Sequence, residues 1–436
     1  MKRDRKPAGV VVTASGSTIP RRPGRTPPPG GRIRLARYAA RAAAELSRRL
    51  RGGSGTVIAG RVLQVVAPEA VATLASGRDV TLVSGTNGKT SITALMVAAL
   101  DDGRSVISNR EGANTAAGIA GTLAGAGDGR VVLEVDEGWL PWAIRETAPG
   151  IVILSNLSRD QLSRHHEVGA LAASWRAALA GVPLVVANAD DPAVVWAALA
   201  ARRQIWVAAG ARWTADSLVC PACGGRCRQS APGHGRGWGC DSCGLRRPHP
   251  DWALDGDALV GTDVRVPLEL DLPGRFNLAN AALALAAAAT DGIDPRAAVT
   301  RVRDVRAVAG RYQRTRFRGH DLRILLAKNP AGWLELLDLM APDTHPVVLL
   351  FNADGVDGRD PSWLYDVSFT PLRGRLVVVQ GRRATDLLVR LELDGVEARS
   401  LPGTLAAALW EIPSGRVDVV GNYTAFQHAL KEVRHG

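Results

Sequence analysis

The segment Asp79 to Ser91 constrains the fold of this chain more than any other stretch. It joins the apolar run Val80-Thr-Leu-Val83 to the glycine turn Gly85-Thr-Asn-Gly88 and then to the apolar, helix-favouring run Ile92–Leu100. A buried strand, a tight turn and a helix start in this order form a cradle, in which backbone N–H groups and the positive end of the helix face an anion. The sequence therefore predicts an α/β fold with a parallel sheet and a phosphate-binding loop.

The chemistry of this loop favours ATP as the anion. Gly85 and Gly88 let the backbone approach the phosphates, Lys89 would neutralise the outer phosphates, and Thr90 would hold Mg²⁺. Further nucleotide contacts are expected from the neighbouring Thr86, Asn87 and Ser91. We expect Lys89 to be an exposed loop residue that contributes little to stability. The structural alternative is a plain glycine turn between strand and helix with a surface lysine.

The cysteines form a second recognisable pattern. All five lie between Cys220 and Cys243, and four of them form two C-x-x-C pairs separated by 16 residues, a spacing typical of zinc ribbons. We predict that Cys220, Cys223, Cys240 and Cys243 bind a structural Zn²⁺ in an insert of about residues 215–250. Cys227 is the odd cysteine, which could replace one of these four or stay free. Disulfides are the alternative, which a cytosolic chain disfavours. Because no cysteine lies outside this region, the chain lacks a nucleophile with which to hydrolyse glutamine alone.

The positive charge is concentrated at the start of the chain. The whole chain has a formal net charge of +12, and residues 1–51 hold 14 Lys and Arg against Asp4 and Glu45, which accounts for the whole surplus. The remainder is formally neutral, so the charge does not indicate nucleic acid as a partner of the folded body. Residues 1–31 show no apolar period and are predicted to form a disordered basic tail.

Residues Arg32 to Arg51 are predicted to form an amphipathic basic helix. Ile33, Leu35, Leu46 and Leu50 are available for one of its faces. Two interpretations stay open: a solvated helix packed on the first domain, or a helix that contacts an anionic membrane. The sequence shows neither a signal peptide nor an apolar run of the roughly 20 residues that span a membrane. We therefore expect a cytoplasmic protein, either free or peripheral at the inner face of the membrane.

The shortened loop Gly85–Thr90 resembles the signature of the Mur ligase superfamily, since Val83 stands where the general P-loop has a glycine. Further segments follow in that family's order: Arg130-Val-Val-Leu-Glu-Val-Asp-Glu137, Asn188-Ala-Asp-Asp-Pro192, Gly274-Arg-Phe-Asn-Leu-Ala-Asn280 and Gly310-Arg311. By this resemblance Glu134 would bind Mg²⁺. Asn277 and Asn280 would lie near the adenine, and Arg311 would reach the ATP phosphates. Gln161 and Arg176 stand where many members have a metal-ligating histidine and a modified lysine, which leaves the number of metal ions open.

Within this superfamily, the C-terminal part is similar to the MurT family. Four acids fall within thirteen residues of the segment that follows the run Val347–Phe351: Asp354, Asp357, Asp360 and Asp366. A loop of Asx turns would give the same composition. In the MurT family this region faces a glutaminase partner, a GatD-like class I glutamine amidotransferase, and an aspartate is thought to complete its Cys–His pair. The resemblance implies this role for Asp357 first and for Asp360 second.

The MurT resemblance implies an ATP-dependent ligase that works in a heterodimer with the glutaminase. Its reaction would convert the α-carboxylate of D-glutamate in the lipid II stem peptide to D-isoglutamine through an acyl phosphate. Lys328 stands where amino-acid-adding Mur ligases commonly have a histidine, in an Asp-Tyr-Ala-His-x-Pro segment that is absent here. Arg311 and Lys328 are candidates for stabilising phosphoryl or acyl-phosphate oxygens.

Two other functions remain open. An amino-acid-adding ligase of Mur or folylpolyglutamate type would need the absent segment, and a non-enzymatic ATP-binding scaffold would be expected to lose Glu134. The expected organisation is a tail of residues 1–31, a Mur ligase-like ATP-binding domain of residues 32–309 with the zinc-ribbon insert, and a MurT-type α/β domain of residues 310–436.

Overall fold

The computed structural model of this chain describes residues 30–51, 55–109, 112–159, 168–210, 214–229, 237–305, 312–354 and 360–435. In these ranges α-helices alternate with mostly parallel strands, so the predicted α/β fold class is confirmed. The predicted tail is almost wholly outside the described residues. The predicted domain limits stay predictions. Among the described residues, none of the helices combines the length and the apolar character needed to cross a bilayer.

The strands form three sheets. A nine-stranded sheet has the order β11-β10-β9-β6-β5-β4-β1-β3-β2, a six-stranded sheet has the order β12-β13-β17-β14-β15-β16, and β7 pairs with β8 alone. The strands are β1 Val80–Ser84, β2 Val106–Ser108, β3 Arg130–Glu134, β4 Ile151–Leu154, β5 Leu184–Asn188, β6 Gln204–Ala208, β7 Cys227–Gln229, β8 Trp238–Cys240, β9 Trp252–Asp255, β10 Ala258–Val260, β11 Arg265–Pro267, β12 Tyr312–Phe317, β13 His320–Leu326, β14 Val347–Leu350, β15 Val377–Gln380, β16 Ala398–Ser400 and β17 Arg416–Gly421.

The helices cover both faces of the two large sheets. They are α1 Gly31–Arg51, α2 Thr56–Val66, α3 Ala70–Ala75, α4 Lys89–Ala99, α5 Ala116–Gly125, α6 Leu140–Thr147, α7 Val168–Leu179, α8 Pro192–Ala198, α9 Arg275–Thr290, α10 Pro295–Arg303, α11 Pro330–Met340, α12 Ala384–Leu393, α13 Leu405–Trp410 and α14 Tyr423–His435. Successive side chains of a strand point to opposite faces, and Leu82 and Val83 of β1 are both fully buried, each in a different apolar cluster.

Strand β1 lies in the middle of the first sheet, between β3 and β4, and all three run parallel. Val83 pairs with Glu134, and Ser84 pairs with Leu154. The carboxyl ends of the three strands therefore meet at one edge, where open parallel sheets bind ligands.

Helix α1 corrects the prediction for the basic segment. Ile33 is buried and α1 packs on α2 and α5, but Leu35, Leu46 and Leu50 are exposed. The four residues therefore do not share one packing face. The small residues Ala36 and Ala40 complete the buried face. The prediction missed them because it considered only large apolar side chains.

Candidate functional site

The glycine loop has the backbone that its sequence predicts. Gly85 has φ 144° and Gly88 has φ 85°, conformations that residues with a Cβ rarely adopt. A Cβ on Gly85 would lie 1.9 Å from Ser155 Oγ, and a Cβ on Gly88 would lie 2.4 Å from Asn280 Oδ1. Both positions therefore require glycine because of backbone conformation and of close neighbours together. Helix α4 begins at Lys89, directly after the loop.

The side chain of Lys89 is buried, which contradicts the expectation of an exposed loop lysine. Its Nζ donates to Gly85 O at 2.5 Å, to Thr86 O at 3.3 Å and to Glu137 Oε2 at 2.8 Å. The loop curls around the ammonium group, because two of the three acceptors are carbonyl oxygens of the loop itself. Lys89 therefore contributes to the stability of the fold and is also a candidate phosphate ligand.

Glu137 is the functional candidate that sequence reasoning missed. It begins a 3₁₀ turn of residues Glu137–Trp139 after β3, and its side chain is 4% exposed. Burial alone would raise the pKa of its carboxyl group, but the charges of Lys89 and Lys328 and the hydrogen bond from Lys89 lower that pKa to about 2. The signal in the sequence was the third acid of the segment Glu134-Val-Asp-Glu137.

Glu134 ends β3 beside the loop. It is buried, its Oε1 accepts from Asn114 Nδ2 at 3.1 Å, and Asn109 bonds its backbone N–H and C=O at 2.8 Å each. Thr90 lies in the first turn of α4, which begins directly after the loop. A carboxylate and a hydroxyl group are the hard oxygen donors that Mg²⁺ takes, so this donor set fits the predicted ion.

The loop that follows β4 supports the other side of the cradle. Asn87 N donates to Asn156 Oδ1 at 3.0 Å, and Ser155 Oγ donates to Asn87 O at 2.8 Å. Ser158 N donates to Thr86 Oγ1 at 3.0 Å. These bonds connect the phosphate-binding loop to residues some 70 positions downstream and fix its shape.

A cavity of about 190 Å³ opens beside the loop. Gly88, Ser91, Asn277 and Asn280 line it from the loop, α4 and α9, and Tyr312 lines it from β12 of the second sheet. Asn277 and Asn280 lie on the first turns of α9, and the amide of Asn280 donates to Asn277 Oδ1 at 3.3 Å. The structure thus brings both predicted adenine contacts to the cradle. The predicted Arg311 lies outside the described residues.

The C-terminal part contacts the cradle through the segment after β13. Asn329 Nδ2 donates to Asn87 Oδ1 at 3.1 Å, while Asn329 Oδ1 accepts from Gly332 N at 2.9 Å and caps α11. Lys328 precedes it, is partly buried, and is close enough to Glu137 to lower its pKa. Lys328 and Lys89 therefore approach one carboxylate from two parts of the fold.

Four of the five cysteines converge, as the spacing predicts. The Sγ atoms of Cys220, Cys223, Cys240 and Cys243 all lie within 4.8 Å of one another, with two contacts of 3.6 Å. Four thiolates at about 2.3 Å from a tetrahedral Zn²⁺ would be separated by about 3.8 Å, so the arrangement fits zinc. Cys227 is outside this group. It is buried and pairs with Cys240 across β7 and β8, so its side chain packs inside the ribbon.

The cysteine insert is attached to the first sheet by specific contacts. Trp238 is buried and its Nε1 donates to Ala189 O at 3.0 Å. Arg247 Nε lies 2.6 Å from Asp190 Oδ1. These contacts fix the ribbon next to the segment that joins β5 to α8, which argues for a structural insert.

The acidic segment is described only in part. Asp357 lies outside the described residues. Asp360 is exposed, and its Oδ1 accepts from Ser362 N at 2.9 Å, which holds the pKa of its carboxyl group below the ordinary value. Asp354 pairs with Arg382 at 2.9 Å. Asp366 pairs with Arg159 at 3.2 Å and so connects this segment to the loop after β4.

Of the two positions that bear on a second metal ion, Arg176 lies within the described residues and Gln161 does not. Arg176 packs over the Trp196 ring at 5.1 Å from its centroid and donates to the Trp196 carbonyl, so it holds α7 against α8.

Two family profiles match this sequence. The Mur ligase middle domain matches residues 83–213, which include the cradle, β3 and β4. The MurT ligase C-terminal family matches residues 326–426, which include Lys328 and Asp360. In its fold and in these two matched ranges, the chain therefore resembles the Mur ligases.

Within that class, the resemblance to the MurT family is confirmed. The chain is 27% identical over 435 residues to the "lipid II isoglutaminyl synthase (glutamine-hydrolyzing) subunit MurT" of Staphylococcus aureus (strain N315), covering 92% of this chain and 97% of the relative. It is 27% identical over 381 residues to the subunit of the same name from Streptococcus pneumoniae (strain ATCC BAA-255 / R6), covering 81% and 85%. A pseudomurein peptide ligase type C from Methanothermus fervidus shares the fold, with a TM-score of 0.63 at 17% identity, over 84% of this chain and 80% of that one.

Proposed function

We propose that this chain is the ligase subunit of a two-subunit enzyme of peptidoglycan synthesis, which amidates the α-carboxylate of D-glutamate in the lipid II stem peptide. The observation that carries the proposal is the cradle of Gly85–Thr90, with Lys89 directed at its centre, in a chain whose C-terminal part matches the MurT family. The names of the relatives from S. aureus and S. pneumoniae support the substrate and the nitrogen source.

Different residues of the cradle would bind different parts of ATP and its metal ion. Lys89 and the N–H groups of residues 86–90 would bind the phosphates, and Asn277 and Asn280 would contact the adenine. Thr90 and Glu134 would hold Mg²⁺, which supplies positive charge against the transferred phosphoryl group. Arg311 would reach the phosphates from the segment between the two sheets. Glu137 acts as a positioning residue, since it accepts a hydrogen bond from the Lys89 ammonium group beside the loop carbonyls.

The reaction then proceeds in two displacements. A carboxylate oxygen of the D-glutamate attacks the γ-phosphorus of ATP, the bond to ADP breaks, and an acyl phosphate forms. Ammonia attacks the acyl carbon, phosphate leaves, and a proton is lost to give the amide. Lys328 follows β13 of the second sheet and is close enough to Glu137 to lower its pKa, so it is the candidate for stabilising the oxygens that gain charge.

Ammonia comes from a partner in this proposal. Every cysteine of the chain lies between Cys220 and Cys243, where four of them form the zinc-type cluster. A glutaminase needs a cysteine nucleophile with a histidine base. The GatD-like partner supplies both, and the segment that contains Asp357 and Asp360 completes its catalytic group with a carboxylate.

The product distinguishes this function from its main alternative. Purified chain is incubated with ATP, Mg²⁺, lipid II, ammonium and a mixture of amino acids, and the product is analysed by mass spectrometry. The proposal predicts conversion of one carboxylate to an amide and no added residue. A product enlarged by an amino acid identifies an amino-acid-adding ligase, and ATP binding without any product identifies a scaffold.

A further inference from the structure

Helix α1 presents a second apolar face that no described part of the chain covers. Leu35, Tyr38, Leu46 and Leu50 are 65%, 69%, 59% and 74% exposed. They are separated by three, eight and four residues, a spacing that places them on one side of a helix. We call these four residues the outer stripe.

The orientation of α1 is fixed by its opposite face. Ile33, Ala36 and Ala40 are buried. Arg37 donates from Nε to Ala124 O at 2.9 Å and from Nη2 to Ala126 O at 3.1 Å, at the end of α5. Arg32 Nε donates to Val66 O at 3.0 Å, at the end of α2. These bonds and the buried residues fix the rotation of α1 about its axis in its first half, with the outer stripe turned away from α2 and α5.

Positive charge surrounds the outer stripe. The helix has seven arginines and one acid, Glu45, which pairs with Arg48 and Arg49. Arg34 and Arg41 are exposed as well. Two copies of such a helix would repel each other, which disfavours a self-dimer on this face. An apolar stripe with one aromatic side chain among arginines also offers little for base stacking, which disfavours single-stranded nucleic acid.

We propose that the outer stripe and its arginines dock on a membrane surface that contains anionic phospholipid. In this arrangement α1 lies parallel to the surface, its leucines enter the boundary between headgroups and acyl chains, and its arginines meet lipid phosphates. The inference does not depend on the proposed reaction, since it rests on the exposure and charge of α1 alone.

The test measures sedimentation of the full chain with vesicles. The chain should bind vesicles of phosphatidylglycerol and phosphatidylcholine, and should not bind phosphatidylcholine alone. Leu35→Ser, Tyr38→Ser, Leu46→Ser and Leu50→Ser together should weaken binding at least about tenfold. Leu393→Ser with Trp410→Ser is the matched control, because these residues are 66% and 79% exposed on the second sheet's helices. The control variant should bind like the original chain.

Further measurements test the contribution of charge to vesicle binding and the involvement of α1 itself. Arg34→Glu with Arg41→Glu should also reduce binding, and 1 M salt should do so for the original chain, because it shortens the screening length to about 3 Å. Hydrogen exchange of residues 31–51 should slow on anionic vesicles, which tests the helix without any substitution. The proposal is overturned if the stripe variant binds vesicles like the original chain, or if exchange in α1 is unchanged by vesicles. It is also overturned if the stripe variant loses a protein partner while vesicle binding persists.

Discussion

Lys89 Nζ lies 2.8 Å from Glu137 Oε2, and the two side chains are 3% and 4% exposed. The pair joins the first turn of α4 to the turn after β3, two elements 48 residues apart. In a low-dielectric site each charge requires the other, so loss of one partner leaves the second uncompensated. The lysine of the phosphate cradle is therefore positioned before any phosphate enters.

The Lys89–Glu137 pair predicts a pH dependence of stability. The pKa of Glu137 is about 2 in the folded chain against an ordinary 4.5. Its ionised form therefore stabilises the fold above pH 4.5, and this contribution is lost as the pH falls from 4.5 towards 2. A difference of this size corresponds to on the order of 3 kcal/mol.

Urea unfolding at pH 6 and pH 3 checks this. Glu137→Gln should be less stable than the original chain at pH 6, and the gap should narrow at pH 3. Glu411→Gln is the control, because Glu411 pairs with Arg399 at 3.8 Å on the surface and should contribute less than about 1 kcal/mol. An equal gap for Glu137→Gln at both pH values would contradict the assignment.

Two glycine substitutions separate the cost of backbone strain from the cost of a steric clash. Gly88→Ala places a Cβ 2.4 Å from Asn280 Oδ1 at φ 85°, whereas Gly103→Ala has a similar φ of 91° and open space around it. Gly103→Ala should cost about 1–2 kcal/mol from backbone strain alone. Gly88→Ala should cost more and should weaken ATP binding, measured by calorimetry. Equal effects of the two substitutions on stability and ATP affinity would show that Asn280 does not pack against the loop.

The cysteine cluster predicts one Zn²⁺ per chain, measured by elemental analysis of reduced protein. Cys223→Ser removes one ligand and should lower the zinc content and expose residues 214–250 to proteolysis. Cys227→Ser should keep its zinc. Since Cys227 is buried, we expect this change to cost about 1–3 kcal/mol for the buried hydroxyl, rather than to be silent. Zinc lost from Cys227→Ser but retained in Cys223→Ser would refute the ligand assignment.

Substitutions in the acidic segment should separate glutamine hydrolysis by the partner from the ATP-dependent amidation. Asp357→Asn keeps the shape of the side chain but offers an amide to the partner's histidine. With the glutaminase present, glutamine-dependent amidation should fall by on the order of 10⁴-fold, and added ammonium should restore it. Asp360→Asn is the second candidate and is tested beside it. If ammonium restores neither variant, the segment belongs to the ligase site instead.

The parts of the site that local sequence determines could be predicted. The order of apolar run, glycine turn and helix start became β1, the loop and α4 because each element depends on neighbouring residues. The same holds for the four-cysteine cluster, whose spacing sets the two turns that carry the ligands.

Features that depend on distant pairing could not be predicted. The burial of Lys89 requires Glu137, and their contact exists because β3 lies beside β1, which no local pattern reports. Similarly, the two faces of α1 differ only because α2 and α5 pack against Ala36 and Ala40 rather than against the leucines. The burial of Lys89 and the two faces of α1 both depend on tertiary packing, which residue type alone does not specify.

Ammonium-driven amidation of lipid II by Lys89→Met tests whether the cradle around Lys89 carries the reaction. Lys431→Met, at an exposed lysine of α14, is the control, and the double variant Lys89→Met, Glu137→Gln removes the unpaired buried charge so that folding can be checked separately. Lys431→Met should be fully active, whereas Lys89→Met and the folded double variant should lose about 10²- to 10³-fold or more of the rate. Amidation at the original rate by the folded Lys89 variants would contradict this role of the cradle.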